Sequence, residues 1–124
     1  MSEQVLETGS AARAAELLPA ARFLEELRRI PRYRPPRPIG DPLEAAVKKV
    51  ERNPAFAQSR LLTRILAALV HQQGEFRRAE VAALDADTLA LVINLMDTLT
   101  AGTTTREKWI CAADVSKAAV LGAQ

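Results

Sequence analysis

The sequence ADTLALVINLMDTLTA, residues 86–101, has apolar side chains three or four positions apart along most of its length. That spacing predicts an α-helix, because residues so separated lie on one helical face. Leu91 and Leu95 add a second apolar side, so other helices or a partner must cover this helix. We therefore expect the other helices to surround it. The stripe predicted to face water is narrow and consists of Ala90, Asn94, Asp97 and Ala101.

Composition indicates a helical protein with an aliphatic core. The chain has 124 residues, of which 48% are hydrophobic and 26% charged, as is typical of a soluble globular domain. Aromatic residues make up only 4%, and seven prolines with five glycines suit helices joined by short turns better than β-hairpins. The prediction is an all-α fold: a single compact domain of about six helices.

Residues 1–30 are predicted to form an N-terminal helical segment. Ser10 can cap a first helix that runs through Leu17 and Leu18. Pro19 then either kinks this helix or lies in the first turn of a second one, ARFLEELRRI, whose apolar residues have helical spacing.

Residues 31–41 are predicted to form an extended Arg/Pro-rich strap. Each proline lacks a backbone donor and pushes the residue before it toward an extended conformation, so this stretch cannot continue a helix. The strap joins the N-terminal segment to a predicted helical core domain, residues 42–124.

Two dipeptides mark the first helix starts of the core. Asp41-Pro42 and Asn53-Pro54 each combine a side chain that caps helices with a proline suited to the first helical position. The helix after the second signal is predicted over about residues 54–73, with Gly74 as its stop.

The last helix is predicted over residues 105–121. Thr104 and Glu107 have the spacing of a capping box at its start. We expect this helix and the helix at 54–73 to provide most of the packing around residues 86–101.

The region before residues 86–101 resembles a helix-turn-helix in spacing only, with RRAEVAAL as the first element. Contacts with DNA phosphates need Lys or Arg, yet neither residue occurs between Ala79 and Thr105. Asp85 and Asp87 are predicted to cap the helix at residues 86–101, so two carboxylates lie at the end that would enter the groove of DNA. This helix-turn-helix-like core is therefore not expected to read DNA.

Five arginines lie between Leu27 and Gly40 without an acidic residue among them. One interpretation is a basic arm that binds an acidic protein or a nucleic acid, in which an adjacent tyrosine can stack on a base. A second interpretation is that the stretch PPRP binds an aromatic groove in a partner protein. A third is that these residues form a solvated linker. The predicted partner-binding residues are Arg28, Arg29, Arg32, Tyr33, Arg34 and Arg37.

A second basic set lies on the predicted helix 54–73 and just after it: Arg60, Arg64, Arg77 and Arg78. These side chains are candidates for contact with phosphates or with an acidic partner. They can equally form a solvated face, with Glu51, Glu75 or Glu80 as internal counter-charges.

The sequence argues against several chemistries. One histidine and one cysteine cannot form a disulfide or a metal site with two or more soft ligands, and no glycine-rich phosphate loop is present. Cys111 is expected to be buried or half-buried. We predict no catalysis, no cofactor and no bound metal. With no signal peptide and no apolar run long enough to span a bilayer, we predict a cytoplasmic protein without membrane contact.

These observations favour a non-catalytic helical interaction protein, either a small adaptor or a regulatory subunit. Its apolar helix surface and basic strap would bind a protein partner or a second copy in a homodimer. The alternative is a small nucleic-acid-binding regulator that contacts phosphates through the basic strap and the face of Arg60, Arg64, Arg77 and Arg78.

Overall fold

The computed structural model describes residues 16–30 and 40–123. These residues form six helices and a two-stranded antiparallel sheet, which confirms the predicted all-α single-domain class. The helices are α1 (Ala20–Arg29), α2 (Pro42–Arg52), α3 (Ala57–His71), α4 (Arg78–Ala83), α5 (Ala86–Ala101) and α6 (Arg106–Gly122), and the strands are β1 (Leu17–Pro19) and β2 (Glu75–Arg77). The predicted cap at Ser10 and most of the predicted strap lie outside the described residues.

Two predicted helix starts are confirmed by the capping bonds. The Asp41 carboxylate accepts a hydrogen bond from the backbone N–H of Leu43 at 3.0 Å, and Pro42 is the first residue of α2. The Asp85 carboxylate accepts one from the N–H of Thr88 at 2.7 Å, at the start of α5. Both carboxylates satisfy donors that the first helical turn leaves without intrahelical partners.

The N-terminal helix predicted through Leu17 and Leu18 is wrong at these residues, which belong to β1. Leu18 precedes a proline, which disfavours the helical conformation there, and it pairs in register with Phe76 of β2. Pro19 is the extended N-cap of α1. The second predicted helix is confirmed, with Phe23 and Leu27 buried.

The predicted bounds of α3 were too wide. Its N-cap is Phe56, whose N–H donates to the carbonyl of Asn53 at 3.1 Å, so the chain turns before the helix begins. At the other end Gln72 takes the left-handed conformation with φ 55°, two residues before the predicted stop at Gly74. The cap of α6 is also displaced by one residue, because Thr105 and not Thr104 accepts from the N–H of Lys108.

One of the helices that pack against α5 differs from the prediction. Helix α5 packs against α2, α3 and α1, whereas α6 packs mainly on α3 and α2. The expected water-facing stripe of α5 is only partly correct, because Ala90 is buried and Asn94 is half-buried. Leu99, at the end of α5, is exposed instead. Helix α2 therefore takes much of the place that was predicted for the last helix.

An aromatic pair attaches the N-terminal elements to the rest of the core. The rings of Phe23 on α1 and Phe76 on β2 are stacked, with centroids 4.0 Å apart and planes inclined by 8°. Both side chains are buried. Because a buried phenylalanine removes a large apolar area from water, this pair holds α1 on the domain.

We expect Phe23→Ala to lower the free energy of unfolding by about 3–5 kcal/mol, through loss of buried area and creation of a cavity. Phe56→Ala is the matched control, because Phe56 is 62% exposed and its truncation should cost less than about 0.5 kcal/mol. Urea denaturation followed by fluorescence of Trp109, which is buried in α6, measures both values. A small effect of Phe23→Ala on the Trp109 transition would show that α1 unfolds independently.

Candidate functional site

A groove with a volume of about 390 Å³ lies between α3 and α6 and is called here the α3–α6 groove. The Nη1 of Arg106, at the start of α6, lies 3.5 Å from the carbonyl oxygen of Val70, near the end of α3. The two helices therefore run antiparallel, with the end of α6 beside the start of α3. Residues from both helices line the groove along this pair.

The floor of the groove is apolar. Ala67 of α3 and Ala113 of α6 both line it, and their small side chains leave room between the helices. Val120 and Leu121 extend the floor toward the start of α3, where Leu121 remains 57% exposed. The exposed Phe56 precedes the first residue of α3, at this same end of the helix pair. Part of the apolar floor therefore remains open to a partner at Leu121.

The rim of the groove is charged and mostly basic. Arg60, Arg64 and His71 border it from α3, and Asp114 and Lys117 from α6. Among the described residues, neither Lys117 nor Asp114 has an ion-pair partner. The guanidinium of Arg60 donates to the carbonyl of Ala55 at 2.7 Å, which orients the side chain without neutralising its charge.

Arg64 is held by β2 and α4. Its guanidinium forms a salt bridge with the Glu80 carboxylate, donates to the Glu75 carbonyl at 2.9 Å, and lies 4.8 Å from the centroid of the Phe76 ring. Partial burial acts to raise the pKa of Glu80. The hydrogen bonds from Arg64 and from the Arg77 backbone N–H, together with both cations, outweigh burial and hold that pKa below its ordinary value. The predicted counter-charge at Glu80 is therefore confirmed.

The other described arginines of the two predicted basic sets are not in the groove. Arg28 pairs with Asp97 of α5 at 3.1 Å, and Arg29 pairs with Glu25 one turn earlier at 2.6 Å. Arg78 lies 3.9 Å from the Glu26 carboxylate. Of the basic residues predicted as binding sites, the structure brings only Arg60 and Arg64 together on the groove. Arg32, Tyr33, Arg34 and Arg37 lie outside the described residues.

Sequence reasoning missed half of the groove. Asp114, Lys117 and Leu121 lie on the last helix, and no local signal shows that this helix packs beside Arg60 and Arg64. Their spacing of three and four residues was a detectable sign that they share a helical face. The expectation for Cys111 was also wrong, because its side chain is exposed on α6.

The described residues contain no group of three or more His, Cys, Asp or Glu side chains arranged to hold a metal ion. Within the same part of the chain, none of the helices combines the length and apolar character required to cross a bilayer.

No family model, curated protein or solved structure matches this chain. The chemistry and shape of the groove therefore carry the functional argument.

We expect Glu80→Gln to lower the free energy of unfolding at pH 7 by about 0.5–1 kcal/mol, a modest value because water screens the half-exposed Arg64. The lowered pKa means that the Glu80 carboxylate stabilises the fold above its ordinary pKa of 4.5. This contribution is lost as the pH falls through the lower pKa of the folded state. The difference from wild type should therefore disappear under acid conditions.

Urea denaturation from pH 7 down to about pH 3 measures this difference. Glu51→Gln is the matched control, because it makes the same charge change at an exposed residue of α2 that has no ion pair among the described residues. A Glu80→Gln effect that persists unchanged at the lowest pH would contradict the assigned role of the carboxylate.

Proposed function

We propose that this protein is a non-catalytic interaction module, an adaptor or regulatory subunit, whose partner protein docks in the α3–α6 groove. The observation that carries this proposal is the combination of an apolar floor and exposed Leu121 with a charged rim. Interfaces commonly have an apolar centre that supplies affinity and a polar rim that supplies specificity. The predicted strap, residues 31–41, remains a candidate second contact.

The internal ion pairs favour a protein partner over a nucleic acid. Binding to phosphates requires several cations free to replace condensed counterions, but Arg28, Arg29 and Arg64 are already paired with carboxylates. Most of α5 is buried, and its exposed side chains include Asp87 and Asp97. Neither the helix-turn-helix-like region nor the groove offers the dense positive surface that non-specific nucleic-acid binding needs.

We expect a displayed library of helical peptides, selected on the folded protein, to yield binders that require the groove. Leu121→Asp should abolish their binding, because it places a carboxylate on the apolar floor. Val115→Asp is the matched control: Val115 is an exposed residue of α6, but it does not line the groove. Fluorescence anisotropy of the selected peptides measures both variants, and circular dichroism melting verifies that they fold.

Selected peptides that bind the two aspartate variants equally, or a selection that yields no binders, would overturn the docking proposal. The nucleic-acid alternative is tested by titrating labelled mixed-sequence DNA and RNA at low salt. We expect no binding. An affinity that falls steeply with salt and is lost when Arg60 and Arg64 become alanine would favour the alternative instead.

A further inference from the structure

We propose that the occupant of the α3–α6 groove is an acidic amphipathic helix of a partner protein, about three turns long. Its apolar side chains would lie on the floor, and its carboxylates would face Arg60 and Lys117. This inference rests on the proposed function and adds the secondary structure, length and charge of the bound segment.

The walls of the groove favour a helix over an extended segment. An extended peptide gains much of its affinity by adding main-chain hydrogen bonds to an exposed sheet edge. Both walls of this groove are helices, whose central backbone groups are already bonded within the helix. The walls therefore offer a bound segment few main-chain hydrogen bonds, which favours a helix because a helix satisfies its own backbone groups.

The length of the groove sets the length of the bound helix. The residues of α3 that line it extend from Arg60 to His71, which corresponds to about 16 Å along the helix axis. About eleven residues of a partner helix cover that distance. Such a helix presents three apolar anchors at positions i, i+3 or i+4, and i+7 to a groove of this kind.

The charge of the rim indicates the charge of the partner. Because α3 and α6 are antiparallel, Lys117 lies toward the Arg60 end of the groove. Among the described residues, the Arg60 guanidinium is bound only to a carbonyl, and Lys117 has no ion pair. No carboxylate of the described chain therefore pairs with either cation. Of the residues that the structure describes, Asp114 is the one carboxylate that lines the groove. Carboxylates on the partner therefore meet a favourable potential at this end.

The apolar surface at the same end provides a place for an anchor. Leu121, which lines the groove, is 57% exposed, so a partner side chain that covers it removes apolar area from water. Ala67 and Ala113 allow the backbone of a bound helix to approach closely. Affinity would come from these apolar contacts, while Arg60 and Lys117 would select an acidic partner.

A second groove gives no comparable indication of its occupant. It has a volume of about 370 Å³ and lies between α1, α3 and α5, where Leu24, Leu69 and Leu99 line it. It has no charged lining residue in the described part of the chain, so it carries no information about the charge of a partner. Charge complementarity distinguishes the α3–α6 groove.

The test uses two synthetic helical peptides of about twelve residues with the same leucine anchors. One carries glutamate beside the anchors, and the other carries lysine at the same positions. We expect the glutamate peptide to bind wild-type protein at least about tenfold more tightly, and to shift the methyl resonances of Ala67 and Ala113. Titrations followed by nuclear magnetic resonance measure both results.

Charge reversal in the protein should exchange the preference. Arg60→Glu combined with Lys117→Glu is expected to weaken the glutamate peptide about tenfold and to strengthen the lysine peptide. Lys108→Glu is the matched control, because Lys108 is an exposed residue of α6 that does not line the groove. Tighter binding of the lysine peptide by the charge-reversed variant would show that the variant is folded, so that its weaker binding of the glutamate peptide is not caused by unfolding.

The outcomes separate this inference from the proposed function. In one outcome the two peptides bind with equal affinity, charge reversal changes neither affinity, and Leu121→Asp abolishes both. That result would overturn the acidic partner but would still support docking in the groove. If light scattering shows that the protein is a dimer and that Leu121→Asp dissociates it, the occupant of the groove is a second copy of the chain and not a partner helix. If dodecanoate binds in the groove and neither peptide does, the occupant is a small anionic ligand and not a partner helix. Failure of both peptides and of the library selection would overturn both proposals.

Discussion

The burial of Phe76 is the constraint on which the arrangement of the N-terminal elements and of the basic rim depends. Its ring stacks on Phe23 of α1, and its backbone belongs to the strand that pairs with Leu18. The guanidinium of Arg64 lies over the same ring, 4.8 Å from its centroid. Gly74, two residues before Phe76, has φ 136°, a backbone conformation that residues with side chains rarely adopt, so glycine is favoured where the chain enters β2.

This constraint connects the core to the groove. Arg64 borders the α3–α6 groove, and its guanidinium is bound to the Glu80 carboxylate and to the Glu75 carbonyl. Its positive charge is therefore largely satisfied within the fold, whereas Arg60 and Lys117 keep theirs. The position of β2 thus determines which of the rim cations remain available to a partner.

The features predictable from sequence were those with local causes. Asp41-Pro42 and Asp85 mark helix starts because a capping carboxylate acts within three residues, and the apolar spacing of residues 86–101 follows from the helix period. The strand at Leu18 was not predicted, because its partner Phe76 lies far away in the sequence. The packing of α6 on α3 and α2 also depends on long-range shape complementarity, for which the sequence holds no local signal.

The ion pairs also divide into local pairs, which the sequence predicts, and pairs between separate elements, which it does not. Glu25 with Arg29 and Glu44 with Lys48 are pairs four residues apart, which helical geometry predicts. Arg28 with Asp97 and Arg64 with Glu80 join separate elements, so only the folded chain shows that these cations are neutralised. The basic character seen in the sequence therefore overstates the positive surface of the described residues.

The exposed apolar residues beside the groove are not explained by the stability of the fold. Single exposed leucines are common on soluble proteins and need no special cause. Here Leu121 lines the groove, next to a floor that small side chains leave open, and Phe56 directly precedes the first residue of α3. Polar residues at these two positions would cost the isolated domain little, because both side chains are more than half exposed. Their apolar character contributes substantial free energy only when another molecule covers them, and the uncompensated charges of Arg60 and Lys117 beside them favour an acidic one.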